Sequence, residues 1–165
     1  MRVEPDGEAA LEGRALRDDY RVTLSLRENE SGFVRFGWEQ GRKYYDDSGG
    51  YYAGFQPSLY SLGRDLYLDR GRLWTELGLR RPDWPEITVG YEYQTREGEE
   101  STLQWGAVTG QGDLTRNIFP NSKQVDEHTH VVKLDVVHDL AGYRVSDSFR
   151  GEFYDLSTKR RNTTP

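Results

Sequence analysis

The sequence predicts an all-β fold built as an antiparallel meander of about six long strands. The first observation behind this prediction is a period-two alternation of apolar and polar residues in several segments. Successive side chains of a strand point to opposite faces, so each segment has one apolar and one charged face. The second observation is length, since the alternation runs for about 10 to 14 residues, roughly twice an ordinary strand. The clearest case is the segment 128–156, which reads as two strands joined at Ala141-Gly142.

The alternation gives the extent of each element. We predict strands near residues 19–28, 32–45, 67–80, 86–97, 128–140 and 143–157, which together make one segment over 19–160. Residues 1–18 are charged and contain glycine, and we expect them to be a flexible or partly helical lead-in. Residues 161–165 are expected to be a truncated tail or a loop.

The connections between these strands are predicted to alternate in length. They are short near residues 30, 83 and 141, and long from about 46 to 66 and from about 106 to 127. A membrane-spanning β-barrel has tight turns at one end, long loops at the other, an apolar face toward lipid and a polar face toward water. The pattern therefore favours part of a transmembrane β-barrel.

Six strands are too few for such a barrel, because single-chain barrels begin at about eight and sheet edges cannot stay open in hydrocarbon. The opening residues also lack the apolar core of a signal peptide. We therefore expect the chain to be a fragment, or to begin at an internal start codon, with further strands of the barrel elsewhere.

The composition fits a sheet with one wet face. The 165 residues have a mean hydropathy of -0.87 and are 30% charged, yet they include 11 tyrosines and four tryptophans. Disordered chains are poor in aromatic residues, so disorder does not explain this combination. A net charge of -6 argues against a nucleic-acid partner. No run of about 18 apolar residues is present for a transmembrane helix, and the lack of cysteine excludes disulfides.

Two stretches carry a family resemblance. LDRGRLWTELGLRRPDWPEITVGYEYQ and DSFRGEFYDL resemble large bacterial outer-membrane β-barrel proteins of the porin-like type. The resemblance extends to relatives of the barrel that sheathes multihaem cytochromes in extracellular electron transfer. It implies an outer-membrane location, contact with outer-membrane lipid, and a pore or scaffold role, and it identifies no catalytic residues. The sequence has no haem-attachment motif, so any haem would belong to a partner.

The charged face supplies the candidate functional residues. In a barrel they would line a passive pore, where mixed charges influence which solutes pass; alternatively, they only pair across strands and hydrate the interior. The candidates are Arg21, Arg27, Arg35, Glu39, Glu76, Arg80, Glu92, Lys133, Asp135, Arg150 and Glu152.

Enzymatic and metal sites are weaker interpretations. Glu76 and Glu92 on neighbouring strands suggest a two-carboxylate hydrolase, but nearby arginines favour charge pairing. His128 and His130, two residues apart, could begin a metal site, although further ligands are needed. We predict that the chain is not an enzyme and holds no metal.

Two alternative functions remain open from the sequence. In one, the barrel is a sheath for an electron-transfer cytochrome, which would be the partner. In the other, the chain is a soluble β-sandwich that binds carbohydrate through Tyr51, Tyr52, Trp74 and Trp105. The sandwich predicts that the apolar faces meet in one closed core.

Overall fold

The computed structural model describes residues 7–29, 31–48, 61–109 and 115–161. They form seven strands: β1 (Gly7–Leu16), β2 (Asp19–Glu28), β3 (Gly32–Tyr45), β4 (Leu66–Leu79), β5 (Glu86–Thr109), β6 (Thr115–Leu140) and β7 (Tyr143–Arg161). The strands belong to one sheet in the order β1 to β7, and neighbours are antiparallel. The prediction of an all-β antiparallel meander is therefore confirmed, with seven strands instead of six.

The additional strand lies in the expected lead-in. Residues 1–18 were predicted to be flexible or partly helical, but Gly7–Leu16 forms β1 and pairs with β2 along its whole length. The residues of β1 that face Leu24 and Leu26 are Leu11 and Ala9. Alanine is weakly apolar and favours helices, so it conceals the period-two pattern in this segment.

The second correction concerns the predicted loop at 106–127. β5 continues to Thr109 and β6 begins at Thr115, so most of that segment is strand. Its sequence is largely polar. Two of its described residues pair with charges on β5, Glu127 with Arg96 at 2.6 Å and Lys123 with Glu100 at 3.5 Å. Ion pairing takes the place of apolar alternation here, which is why the sequence pattern did not reveal the strands. Residues 49–60 of the other predicted long loop, and 162–165 of the predicted tail, lie outside the described residues.

The tight turns have the backbone that short hairpins need. Ala141 and Gly142, between β6 and β7, have φ angles of 50° and 88°. Two successive residues with positive φ are typical of a type I′ turn, whose twist matches that of the flanking strands. Asp18, in the turn between β1 and β2, also has a positive φ of 57°.

The described residues divide between two compact units. The first unit contains the chain up to Gly41, Gly71–Thr95 and His128–Asp155, and the second contains Arg42–Arg70, Arg96–Glu127 and the chain from Leu156. Among the described residues, no helix is long and apolar enough to cross a membrane.

In the first unit, the register of β1, β2 and β3 separates apolar from polar side chains. Leu24 of β2 lies between Leu11 and Phe36, and Leu26 lies opposite Val34. The intervening residues of β2 are Arg21, Thr23, Ser25 and Arg27. We call the two sides the apolar face and the charged face of the first unit.

Apart from Val131, which is 1% exposed, exposure in the first unit is the reverse of that in a water-soluble core. Large apolar side chains on the apolar face are open, with Leu77 51%, Val89 44% and Leu134 39% exposed. On the charged face, Glu92 is only 5% exposed. Apolar groups are therefore left uncovered while an ionisable group is buried.

The second unit has a few almost fully buried side chains of its own. Leu66, Leu68 and Val125 are almost fully buried, and so are the polar side chains of Asn121 and Ser122. The Arg64 guanidinium donates a hydrogen bond to the Ser122 hydroxyl at 2.7 Å. The second unit thus combines a few aliphatic side chains with buried polar contacts.

Candidate functional site: a charged network in the first unit

The charged face of the first unit is built by alternate residues of neighbouring strands. Arg21 of β2 lies opposite Glu39 of β3, and Ser25 lies opposite Arg35. From β4, Arg72 reaches Glu39 at 3.5 Å and Glu76 reaches Arg35 at 3.7 Å. Oppositely charged side chains thus alternate from one strand to the next.

Glycine and aromatic residues bring β3 and β4 together on the same face. A Cβ placed on Gly37 would overlap the indole of Trp74, and one placed on Gly78 would overlap the ring of Phe33. Each glycine therefore provides the space for an aromatic ring of the neighbouring strand. Such cross-strand packing helps to pin the register of a sheet.

Glu92 of β5 is the centre of the charge network. Arg72 Nε donates to Glu92 Oε1 at 2.5 Å, and Lys133 Nζ donates to Glu92 Oε2 at 2.9 Å. Both carboxylate oxygens therefore have a cationic donor. A buried carboxylate loses hydration, and charged hydrogen-bond donors offset that loss. From β2 to β6, the charge alternates between positive and negative from one strand to the next, through Arg21, Glu39, Arg72, Glu92 and Lys133.

Gly90 lets two longer side chains approach from either side. A Cβ on this buried glycine would lie 3.4 Å from Lys133 Cβ and 3.8 Å from Glu76 Cγ. Beside it is a depression of about 160 Å³, lined by Arg21, Arg35, Arg72, Trp74, Thr75, Glu76, Gly90, Tyr91, Glu92 and Lys133. It has room for a few water molecules or a small ion.

The two carboxylates that suggested a hydrolase are each paired with cations. Glu92 is bound by Arg72 and Lys133, and Glu76 by Arg35. Each carboxylate is thus engaged by a neighbouring cation, whereas a two-carboxylate hydrolase needs a pair of carboxyl groups that flank the substrate bond. The arrangement therefore favours the charge-pairing interpretation over the hydrolytic one.

The structure groups some of the predicted residues and separates others. Arg21, Arg35, Glu76, Glu92 and Lys133 line the depression, and Glu39 joins it through Arg72.

The other predicted residues lie away from the depression. Arg80 contacts Glu86 at 3.8 Å, Asp135 accepts a hydrogen bond from Ser148 at 2.6 Å, and Arg150 pairs with Glu152 on its own strand. Arg27 lies opposite Phe33, and no ion pair joins it to another described residue.

Arg72 is the residue that the predicted set lacks. It contacts both Glu39 and Glu92, and so it links β3 to β5 through β4. The sequence does place Arg72 on the charged face, because it lies four residues before Glu76 on the same strand, β4. Its central position depends on register, which the alternation alone does not give.

Aromatic residues cluster on the opposite, apolar face. The rings of Tyr20 and Trp38 stack with their centroids 6.5 Å apart. On β5 and β6, hydrogen bonds of 2.8 Å join the Tyr91 hydroxyl to His130 Nδ1 and the Tyr93 hydroxyl to His128 Nδ1. The two histidines that suggested a metal site each contact a tyrosine through Nδ1.

The residues proposed for carbohydrate binding fall in different parts of the chain. Trp74 packs against Gly37 in the first unit, whereas Trp105 belongs to the second unit and is exposed. Tyr51 and Tyr52 lie outside the described residues.

Comparison with known proteins gives no relative. No family model matches the chain, no curated protein matches it significantly, and no solved structure matches its fold significantly. Functional inference therefore depends on the sheet itself.

Proposed function

We propose that this chain is part of a bacterial outer-membrane β-barrel that acts as a passive pore or barrel scaffold. The apolar face of the first unit would contact lipid, and the charged face would line a water-filled lumen. Solutes would then be selected by the mixed charges around Glu92 and by the loops.

The observation that carries this proposal is the reversed exposure of the first unit. Leu77, Val89 and Leu134 are uncovered on one face, while Glu92 is buried among Arg72 and Lys133 on the other. Water disfavours extended exposed apolar surfaces, whereas a bilayer accommodates them. A lumen also explains why the polar side of the sheet is the one with a charge network.

Strand length is consistent with a bilayer. The ten residues of β2 extend about 33 Å at ~3.3 Å per residue. At a tilt of about 40° they would cover about 25 Å, which is the height of the apolar band of an outer-membrane barrel.

The aromatic residues of the apolar face give further support. Tyr20, Trp38, Tyr91 and Tyr93 each present a ring with a polar group, which suits the boundary between acyl chains and water. The aliphatic residues Leu26, Val34, Leu77 and Val89 lie nearer the strand ends that are joined by the β2–β3 and β4–β5 turns. This succession suits an aromatic girdle beside an aliphatic band.

The soluble sandwich receives no comparable support. It requires the apolar faces to meet in one closed core, but those side chains are exposed in the first unit. Among the described residues, no contact distinguishes the cytochrome sheath from the pore. Co-purification of a haem protein would be the specific test of the sheath.

Membrane fractionation tests the proposal. In bacterial cells that produce the protein, we expect it in the outer-membrane fraction, and we expect extraction to require detergent. Recovery as a freely soluble monomer would contradict the proposed function.

A further inference from the structure

Among the described residues, nothing pairs with the outer edges of the two outermost strands. Within that part of the chain β1 pairs only with β2, and β7 is last in the strand order after β6. Within the part of the chain that the structure describes, no ladder joins β1 to β7. All ten residues of β1 are exposed, and so are nearly all of those of β7.

The direction of these two strands restricts what can cover them. In an antiparallel meander the direction reverses at every step, so the seventh strand runs the same way as the first. Direct pairing of β7 with β1 would therefore be parallel. An antiparallel strand placed between them would pair correctly with both.

We propose that both edges are covered by an additional β-sheet segment that supplies an odd number of antiparallel strands. This inference rests on the proposed function, because open edges are intolerable only where hydrocarbon replaces water. An odd addition to seven gives an even total with antiparallel pairing throughout, as in bacterial barrels. One added strand would reach eight, the smallest size of such barrels.

A ring of identical copies does not meet the same requirement. Copies inserted in the same orientation would join β7 of one chain to β1 of the next, and every such junction would be parallel. Parallel pairing is slightly less stable per residue. The number of copies does not alter this, because each contributes the same seven strands.

The exposed edges also specify the side chains of the added segment. The apolar face of the two edge strands carries exposed side chains, namely Leu11 on β1 and Phe149 and Phe153 on β7. The segment should continue that face with apolar residues at alternate positions. On the opposite parity it would face Glu12 of β1 and Arg144 of β7, so mixed charges are expected there.

Extending the chain with copies of its own strands tests whether the added segment must supply an odd number of strands. The unextended chain is compared with a form that carries the β2 sequence, Asp19–Glu28, after a flexible C-terminal linker, and with a form that carries the β2–β3 sequence, Asp19–Tyr45. Each is refolded into phosphatidylcholine vesicles, and amide hydrogen exchange of β1 is measured. We expect the one-strand form alone to slow exchange in β1, by about tenfold or more.

Flotation of the protein with the vesicles distinguishes failure of the proposed function from failure of the odd-strand proposal. If no form floats, the proposed function fails, and this inference fails with it. If the forms float, three results would overturn the odd-strand proposal alone: equal β1 exchange in all three forms, equal protection by the two-strand form, or concentration-dependent protection of the unextended chain. The last of these would indicate pairing with a second copy.

Discussion

At the scale of single residues, Glu92 holds the charge network together. It accepts hydrogen bonds from Arg72 and Lys133 while only 5% of it is exposed. Removal of this negative charge would leave two cations close to each other with less solvent than they need. The stability of the charged face therefore depends on one carboxylate more than on its neighbours.

We predict that Glu92→Gln lowers the free energy of unfolding by about 2 kcal/mol, less than the loss of a fully buried pair because Arg72 and Lys133 are partly exposed. Urea unfolding of the protein in detergent micelles would measure the change. Glu76→Gln is the matched control, since its ion pair with Arg35 is longer, at 3.7 Å, and more exposed. Equal effects of the two substitutions would show that Glu92 has no special role.

A second prediction concerns the space above Gly37. Gly37→Ala should displace the Trp74 indole and destabilise the protein by about 1–3 kcal/mol, because a Cβ there overlaps the ring. The near-ultraviolet circular dichroism should change with it. Gly13→Ala is the control, since its Cβ would meet only a backbone oxygen, that of Arg21 at 3.9 Å. An unchanged aromatic spectrum in Gly37→Ala would contradict the packing described.

Alternation in the sequence correctly predicts which of these residues share a face. For example, the alternation places Arg21 and Glu39 on the charged face, and the two residues lie opposite each other on β2 and β3. Parity cannot reveal that Arg72 of β4 bonds to Glu92 of β5, because that contact depends on register and on the reach of a long side chain. The most buried carboxylate of the network was therefore not distinguishable from the others.

At the scale of elements, sequence reasoning worked where large apolar residues alternate with polar ones. The predicted strand over 19–28 is β2, and the one over 32–45 is β3. β1 was missed because alanine takes several of its positions. The strand residues within the predicted loop at 106–127 were missed because charged residues such as Lys123 and Glu127 pair across to β5 where apolar residues would be expected.

The apolar face of β4 offers a test that separates lipid from water. Leu77→Arg should cost about 2–4 kcal/mol of folding free energy in vesicles, because a cation in the hydrocarbon is expensive. In water, an exposed leucine tolerates this change with little effect. Urea unfolding in phosphatidylcholine vesicles would measure it.

Leu16→Arg is the matched control for that substitution. Leu16 is also exposed, but it lies opposite Asp19 on the charged parity of β1. We expect its replacement to be nearly neutral in the same vesicles. If both variants lose the same stability, or neither does, the assignment of the two faces is wrong.

At the scale of the whole molecule, the fold class follows from the sequence, whereas closure of the sheet does not. Within the first unit, the antiparallel strands expose aliphatic residues on one face and carry a charge network around the buried Glu92 on the other. The alternation encodes that division. It contains no information about what, if anything, covers the outer edges of β1 and β7, because a chain's own residues specify only the pairs that they form.

The most direct test of the account is the environment of successive residues along β2. The protein has no cysteine, so single cysteines can be placed at each position from Tyr20 to Arg27 and labelled with an environment-sensitive fluorophore in vesicles. The account predicts blue-shifted emission at Tyr20, Val22, Leu24 and Leu26, and water-like emission at Arg21, Thr23, Ser25 and Arg27. Water-like emission at all eight positions, or the opposite alternation, would contradict it.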